Sequence, residues 1–251
     1  NEHIIQNLNS CRDSVHKWGG RNRVSFDASK EHFVIMHPRY AFGEPFKLLG
    51  CLMDTKLIMK HAIDKVLSQI RPKIRAILRT RHHYDSKTLV NQFKTHIWGL
   101  MEIHNGAIFH AASSLLCRFD SVQRGFLNEI HLTESEAFLK HNFAPPILRR
   151  DIGILGLIHK RDLGLAHPVY QKLLPFFGDV FGYLCGNSHS KQLYGHDLNI
   201  HFQHGLHQRS IFGKVNVYNR LPQNVVADID NINLFKLFLC RWRAQPARKM
   251  M

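Results

Sequence analysis

A chain of 251 residues, 44% of them apolar, is long enough to bury a core as one large domain or two smaller ones. Its formal net charge of +15 favours a polyanionic partner, nucleic acid before a membrane surface. The longest apolar runs, such as 111–117 and 152–158, are far shorter than the ~20 residues that cross a bilayer, so a membrane-spanning protein is not expected.

Five cysteines are scattered along the chain, and no basic-then-apolar leader opens it. An odd number of widely spaced cysteines is typical of reduced thiols. We therefore expect an intracellular protein, nuclear or cytoplasmic. The cysteines are Cys11, Cys51, Cys117, Cys185 and Cys240.

The first informative segment is Phe26 to Asp54, which pairs a hairpin carrying Lys30 with a second hairpin that begins at Phe46. This order of motifs resembles the end of the palm in reverse transcriptases of the non-long-terminal-repeat (LINE-type) retrotransposon family. In that family the catalytic Asp-Asp strand is followed by a helix ending near a tryptophan, a hairpin containing a lysine and a Leu-Gly primer-grip hairpin. A basic helical thumb comes next.

The resemblance implies a helix from Glu2 to Trp18, an auxiliary catalytic role for Lys30 near the triphosphate, and a primer grip from Phe46 to Cys51. The Lys30 ammonium would neutralise developing charge or deliver a proton to departing pyrophosphate; the alternative is an ordinary lysine beside a turn. Gly50 is expected in the tight turn of the grip, where the backbone approaches the primer closely. The grip residues expected to contact nucleic acid are Lys47, Leu48, Leu49 and Gly50.

The catalytic carboxylates of such an enzyme are missing from this sequence. No Asp-Asp dipeptide occurs, and Asn1 is not an initiator methionine. We therefore expect a carboxy-terminal piece of a longer polymerase, which would require its amino-terminal palm and fingers for synthesis. Phosphoryl transfer needs paired carboxylates holding two metal ions, so Mg²⁺ is expected for the intact parent enzyme, and no cofactor or metal is expected in this chain.

A basic window follows the grip. Residues 56–94 contain ten Lys or Arg against Asp64 and Asp85, which supplies eight of the fifteen excess charges. Apolar residues recur at helical spacing from Ile58 to Ile70 and again from Ile74 to Leu78. Because proline lacks an N–H and clashes with the preceding turn, Pro72 predicts that one helix ends near Ile70 and another begins at Pro72.

Arg71, Arg75 and Arg79 then form a single row on the face away from the apolar residues, suited to a row of phosphates. The alternative is a solvated helix face, but such faces usually mix charges of both signs. No base-reading motif accompanies the row, so we expect recognition of backbone and duplex shape. The nucleic-acid-binding residues predicted here are Arg71, Lys73, Arg75, Arg79 and Arg81.

The rest of the sequence after the basic window is predicted to be mostly helical. A helix capped by Asp85 or Ser86 should run through Met101 and stop before Asn105. Two helices are predicted at 111–118 and 121–130, and a capping box at Thr133 should open the next. The stretch 147–161 should form an amphipathic helix, with Leu148, Ile152, Leu155 and Ile158 on its buried face.

That stretch resembles a Pro-x-x-Arg-Arg-Asp-Ile-x-x-Leu-Gly motif of the same polymerases, and Tyr218 to Pro222 resembles their Trp-Asn-x-Leu-Pro ending. An ordinary amphipathic helix is the alternative for the first. Residues 167–208 are glycine-rich and predict loops and short elements. A terminal helix should dock its apolar side onto the body through Leu234, Phe235, Phe238, Leu239 and Trp242.

Histidine is abundant, with 19 residues in the chain. A possible set of zinc ligands is His201, His204 and His207. Their spacing matches no recurring zinc module, so no metal site is predicted. We expect instead solvent-exposed histidines that add positive charge near RNA. The crowded region contains Cys185, His189, His196, His201, His204 and His207.

Together these features predict a mainly α protein with a small antiparallel β portion near the amino terminus. The expected parts are the end of the palm at 1–54, a helical thumb and following helices at 55–165, and a carboxy-terminal extension at 166–251. The expected function is binding of RNA template and DNA primer by a catalytically incomplete piece of an RNA-directed DNA polymerase. The alternatives are a non-enzymatic basic helical nucleic-acid-binding module and a helical protein-interaction adaptor.

Overall fold

The computed structural model describes residues 2–37, 39–109, 111–181, 189–194, 204–227 and 229–244. Most of these residues are helical, and a two-stranded antiparallel sheet lies near the amino terminus. The predicted fold class, mainly α with a small β portion, is confirmed. The chain divides into two compact units, residues 1–59 and 60–251.

Within these same ranges, no helix combines the length and the apolar character that a bilayer span requires.

The first unit opens with helix α1, Glu2–Arg21, which is three residues longer than predicted. After it the chain folds back, and the Val24 N–H donates to the Gly19 carbonyl at 2.9 Å. A Cβ on Gly19 would lie 2.4 Å from the Phe26 ring and 2.8 Å from the Val24 carbonyl oxygen. Glycine is therefore required where this helix meets the returning chain.

The predicted lysine hairpin is wrong. Lys30 lies in a single 3₁₀ turn, Ala28–Lys30, because the Asp27 carboxylate accepts from both the N–H and the hydroxyl of Ser29, at 3.0 and 2.6 Å. Such a side-chain to backbone bond holds a turn in place of a strand. Strand-like pairing in this region is a bridge between Ile35 and Phe42.

The hairpin predicted at Phe46 to Cys51 is present, and its role as a primer grip stays a prediction. Strand β1, Phe46–Leu48, pairs antiparallel with β2, Cys51–Met53, with Leu48 opposite Cys51. Leu49 and Gly50 form the two-residue turn, with φ angles of +46° and +86°. Positive φ at both central residues is the pattern of a type I′ turn, which matches the twist of the flanking strands.

The second unit begins with helix α2, Lys60–Arg79, which is continuous through Pro72. The predicted break at Pro72 is therefore wrong. Pro72 is exposed, whereas Ile70 and Ile74 on either side of it are both buried. Packing of this apolar face holds one helix together, although Pro72 has no N–H to offer the preceding turn.

The next helical segment follows the predicted path. Asp85 caps α3, Ser86–Phe93, by accepting from the Thr88 N–H at 2.9 Å. A π-helical turn, Lys94–Trp98, leads into α4, Gly99–Glu102, and a short helix α5 covers Asn105–Ile108.

The two helices predicted at 111–118 and 121–130 are one helix, α6, Ser113–Glu129. No glycine or proline separates the two stretches, and buried Phe119 lies on the same face as Leu116 and Phe126. The predicted capping box is confirmed: Thr133 Oγ1 accepts from the Glu136 N–H at 3.2 Å and opens α7, Glu134–His141.

The carboxy-terminal part packs around helix α8, Pro146–Asp162. Its predicted apolar face is confirmed at Ile152, Leu155 and Ile158, which are buried, and Leu148 is partly buried. The following helices are α9 (Val169–Leu173), α10 (Phe177–Phe181), α11 (His204–Arg209), α12 (Ile211–Asn219), α13 (Gln223–Val226) and α14 (Ile232–Ala244).

Helix α14 is the predicted terminal helix, and its Phe235 and Leu239 belong to the core formed with α8 and α12. Phe238 is partly buried. Leu234 is 57% exposed, so its predicted place on the docking side is wrong. The Trp242 side chain, and Cys185, His196 and His201 of the histidine-rich segment, lie outside the described residues.

Candidate nucleic-acid interface

Helix α2 presents one apolar and one basic side. Its buried residues are Ala62, Ile63, Val66, Leu67, Ile70, Ile74 and Ile77. Burial of this side fixes the rotation of the helix, because the opposite side must then face solvent. All of its lysines and arginines are exposed: Lys60, Lys65, Arg71, Lys73, Arg75 and Arg79.

At the ~100° per residue of an α-helix, five of these six side chains fall within an arc of about 140°. We call Lys60, Lys65, Arg71, Arg75 and Arg79 the basic face. Lys73, predicted as part of the binding set, lies about 80° beyond the edge of this arc, next to the buried residues.

The basic face has no acidic partners within the described part of the chain. Asp64 is the one acid of α2, and its carboxylate pairs with Arg118 at 2.7 Å. None of the five basic-face residues forms an ion pair with another described residue. Their positive potential is therefore available to an anionic partner.

The spacing along the basic face suits a row of phosphates. Arg71, Arg75 and Arg79 are four residues apart, which is a rise of about 6 Å between neighbours. Phosphates of one strand advance ~3.4 Å along the duplex axis per nucleotide. A helix lying along a backbone can therefore offer successive arginines to different phosphates.

Arg81 has a structural contact beside its predicted binding role, which stays a prediction. It lies in a 3₁₀ turn just after α2, and its Nη1 donates to the Leu78 carbonyl at 3.0 Å. This bond satisfies one of the free carbonyls at the end of α2. Arg81 thus caps the carboxyl end of α2.

The grip residues lie at the tip of a hairpin in the first unit. Leu49 is 95% exposed and Leu48 is 51% exposed. A leucine at φ +46° is unusual, because a left-handed conformation costs an L-residue roughly 1–2 kcal/mol. The fold thus holds the apolar side chain of Leu49 in solvent on a strained turn. Lys47 is exposed in the adjoining strand. Backbone strain of this kind is found often at binding sites.

Lys30 lies in the same unit and is 82% exposed at its side chain, 3.3 Å from the Asp27 carboxylate. Hydrogen bonds from Ser29, and then from Lys30, lower the pKa of Asp27 below its ordinary value. Across the described ranges, no three His, Cys, Asp or Glu side chains are arranged to hold a metal ion.

One histidine of the crowded region is part of the core rather than of a charged surface. His189 is buried, and its Nε2 donates to the Tyr218 carbonyl at 3.0 Å. Burial lowers the pKa of His189, so the ring is neutral at physiological pH. The predicted exposed, charge-adding role is wrong for His189.

A second histidine, His159 of α8, joins the same polar centre, which the sequence did not reveal. The Tyr218 hydroxyl donates to His159 Nδ1 at 3.0 Å, and His159 Nε2 donates to the Ile229 carbonyl at 2.7 Å. The His159 ring also stacks on Phe235, with 4.0 Å between centroids. Burial lowers the pKa of His159 and raises that of Tyr218. The hydrogen bonds join α8 to α12 and to the segment before α14, and the ring stacking joins α8 to α14.

Lys60 and Lys65 were missed at the sequence level. Their signal was present, since both share the arc of Arg71, Arg75 and Arg79 once α2 is continuous.

Comparison of the chain with protein-family models, with curated proteins and with solved structures found no match.

Proposed function

We propose that this chain binds primer–template nucleic acid through the basic face of α2, as the carboxy-terminal part of a retrotransposon-type RNA-directed DNA polymerase. The observation that carries the proposal is the set of five exposed, unpaired cations on one side of a well-packed helix. An unpaired row of this kind gains by releasing counterions from phosphates.

The order of elements supports the polymerase part of the proposal. Helix α1 is followed by the Lys30 turn, the hairpin turn at Leu49 and Gly50, and then basic α2. This is the order of the motifs that the sequence resembles, from the end of the palm into the thumb, except that a 3₁₀ turn stands in place of the lysine hairpin. In this assignment Leu48 and Leu49 would contact the primer strand, and the basic face would follow the duplex backbone.

The chemistry assigned to this chain is limited to binding and positioning. The described residues do not fit the Mg²⁺ of a polymerase, because they bring together no carboxylate cluster. Asp27, the acid beside Lys30, is already engaged by Ser29 and Lys30. We therefore assign no metal-dependent step to this chain, and Lys30 is proposed only as an auxiliary group in the intact enzyme.

The binding proposal is tested by fluorescence anisotropy with a DNA primer annealed to an RNA template. The chain is expected to bind at micromolar or weaker affinity, and Arg71→Gln, Arg75→Gln and Arg79→Gln together should weaken it. A matched control replaces three exposed lysines, Lys17, Lys160 and Lys172, by glutamine and removes the same charge. Equal weakening in both variants would show attraction by net charge alone and would refute the assigned face.

A non-enzymatic nucleic-acid-binding module would pass the same binding test. The coding sequence immediately upstream of Asn1 separates the two, since the polymerase proposal requires a Tyr-x-Asp-Asp type motif within a few dozen codons. An open reading frame that runs upstream for that distance without paired aspartates would leave binding intact and end the polymerase assignment.

A further inference from the structure

A second positively charged site lies in the 60–251 unit and shares no residue with the basic face of α2. It is an open pocket with a volume of about 420 Å³. Three helices form it: α3 contributes Lys87 and Asn91, the end of α7 contributes Lys140 and Asn142, and α14 contributes Arg241. We call these five residues the cationic pocket.

The charges around this pocket do not cancel. Lys140 pairs with Glu136 at 3.1 Å, whereas Lys87 and Arg241 form no ion pair with another described residue. The other acid nearby, Asp85, caps α3 by accepting from the Thr88 N–H. Asp85 keeps its negative charge and interacts electrostatically with Lys87. Among the described residues, the three cations Lys87, Lys140 and Arg241 therefore face the two acids Glu136 and Asp85, and this concave site keeps an excess of positive charge.

The carboxyl end of α7 would ordinarily repel an anion, because the last carbonyls of a helix carry partial negative charge. Here Lys94 donates from its Nζ to the His141 carbonyl and offsets part of that charge. Asn142 adopts a left-handed conformation with φ +49° and closes the helix through its N–H to the Ala137 carbonyl. The negative end of α7 is therefore already satisfied.

Beside the apolar side chains of Phe138 and Leu139, the polar side chains of the pocket are a donor set. The side-chain amides of Asn91 and Asn142 make no hydrogen bond to another described residue, so each offers an N–H₂. Lys87 adds an ammonium and Arg241 a guanidinium with its fork of donors. A tetrahedral oxyanion accepts from several such donors at once, whereas an apolar or cationic ligand would leave them unsatisfied.

From this arrangement we infer that the cationic pocket binds a phosphate group. Two sources carry that group, a free polyphosphate and the backbone of a nucleic acid, and the donor set is the same for both. The inference is independent of the basic face of α2, since no residue is shared between the two sites.

Isothermal titration with pyrophosphate tests the pocket directly. The unmodified chain should bind pyrophosphate saturably, and Lys87→Gln with Arg241→Gln should weaken that binding about tenfold or more. The matched control, Lys160→Gln with Lys172→Gln, removes the same charge from exposed sites and should change the affinity less than about twofold. Absence of saturable binding, or equal loss in both variants, would overturn the inference.

Anisotropy with a DNA duplex then identifies the source. If the backbone is the ligand, the Lys87 and Arg241 variant should lower the slope of log affinity against log salt, and pyrophosphate should compete with the duplex. If a free polyphosphate is the ligand, duplex binding should be unchanged in that variant. The Arg71, Arg75 and Arg79 variant must keep its affinity for pyrophosphate, and loss there would place the phosphate site on α2 and refute the pocket.

Discussion

The salt dependence of duplex binding reports directly on the basic face of α2. If all five cations of the face each neutralise one phosphate, log affinity should fall with log salt with a slope of about −4.5, at −0.9 per phosphate on duplex DNA. Raising salt fourfold would then weaken binding about 500-fold. Replacing Arg71, Arg75 and Arg79 by glutamine leaves Lys60 and Lys65, for which the expected slope is about −1.8 and the loss about 12-fold.

The assay is a fluorescence-anisotropy titration of a labelled DNA duplex at four or more salt concentrations. The difference between the two slopes, about 2.7, is the quantity to compare, because contacts elsewhere on the chain add equally to both proteins. The Lys17, Lys160 and Lys172 variant should keep the unmodified slope. An unchanged slope in the arginine variant would refute the reasoning and place the binding surface elsewhere.

Three further predictions concern the hairpin, the buried histidines and catalysis. Leu49→Asn suits the left-handed turn, so the melting temperature should hold or rise while affinity for primer–template falls; unchanged affinity would make Leu49 merely a turn residue. Burial lowers the pKa of His159 and His189 from 6.5, and partial burial lowers that of His104. The stability that these neutral rings contribute is therefore fully present above pH 6.5 and is lost as the pH falls below it. Melting temperature should therefore drop between about pH 7.5 and 5.5, and less so in His159→Gln; an equal drop would contradict the assignment. In an extension assay with Mg²⁺ or Mn²⁺, the chain alone should yield no product above a no-protein control, and product would require a catalytic centre not assigned here.

Where local chemistry decides the structure, the sequence predicted much of it. The capping box at Thr133 and the cap at Asp85 each follow from residues close together in the chain, whereas the hairpin around Gly50 was expected from the family resemblance. The turn held by Asp27 and Ser29 is equally local, and it was missed. Helix α8 was likewise predictable, because its apolar period from Leu148 to Ile158 persists over about three turns.

Where tertiary packing decides, sequence reasoning failed. Pro72 favours a break, but buried Ile70 and Ile74 continue the same apolar face, and that burial keeps α2 whole. The error at Pro72 also affected the predicted binding site. In a helix broken at Pro72, the directions of Lys60 and Lys65 relative to Arg71 do not follow from their spacing in the sequence. His189 shows the same limit, since nothing local to it reveals that the Tyr218 carbonyl and the core will enclose it.

The central claim is that nucleic acid lies against the basic face of α2, and site-specific photo-crosslinking tests it most directly. Ser68 is exposed and lies on the helix between the directions of Arg75 and Arg79, so a benzophenone amino acid placed there would face the bound backbone. The same group at exposed Lys160 of α8 is the control. The account predicts an ultraviolet-dependent crosslink to a primer–template duplex from position 68 and none from position 160. Crosslinking from position 160 alone, or equally from both, would contradict it.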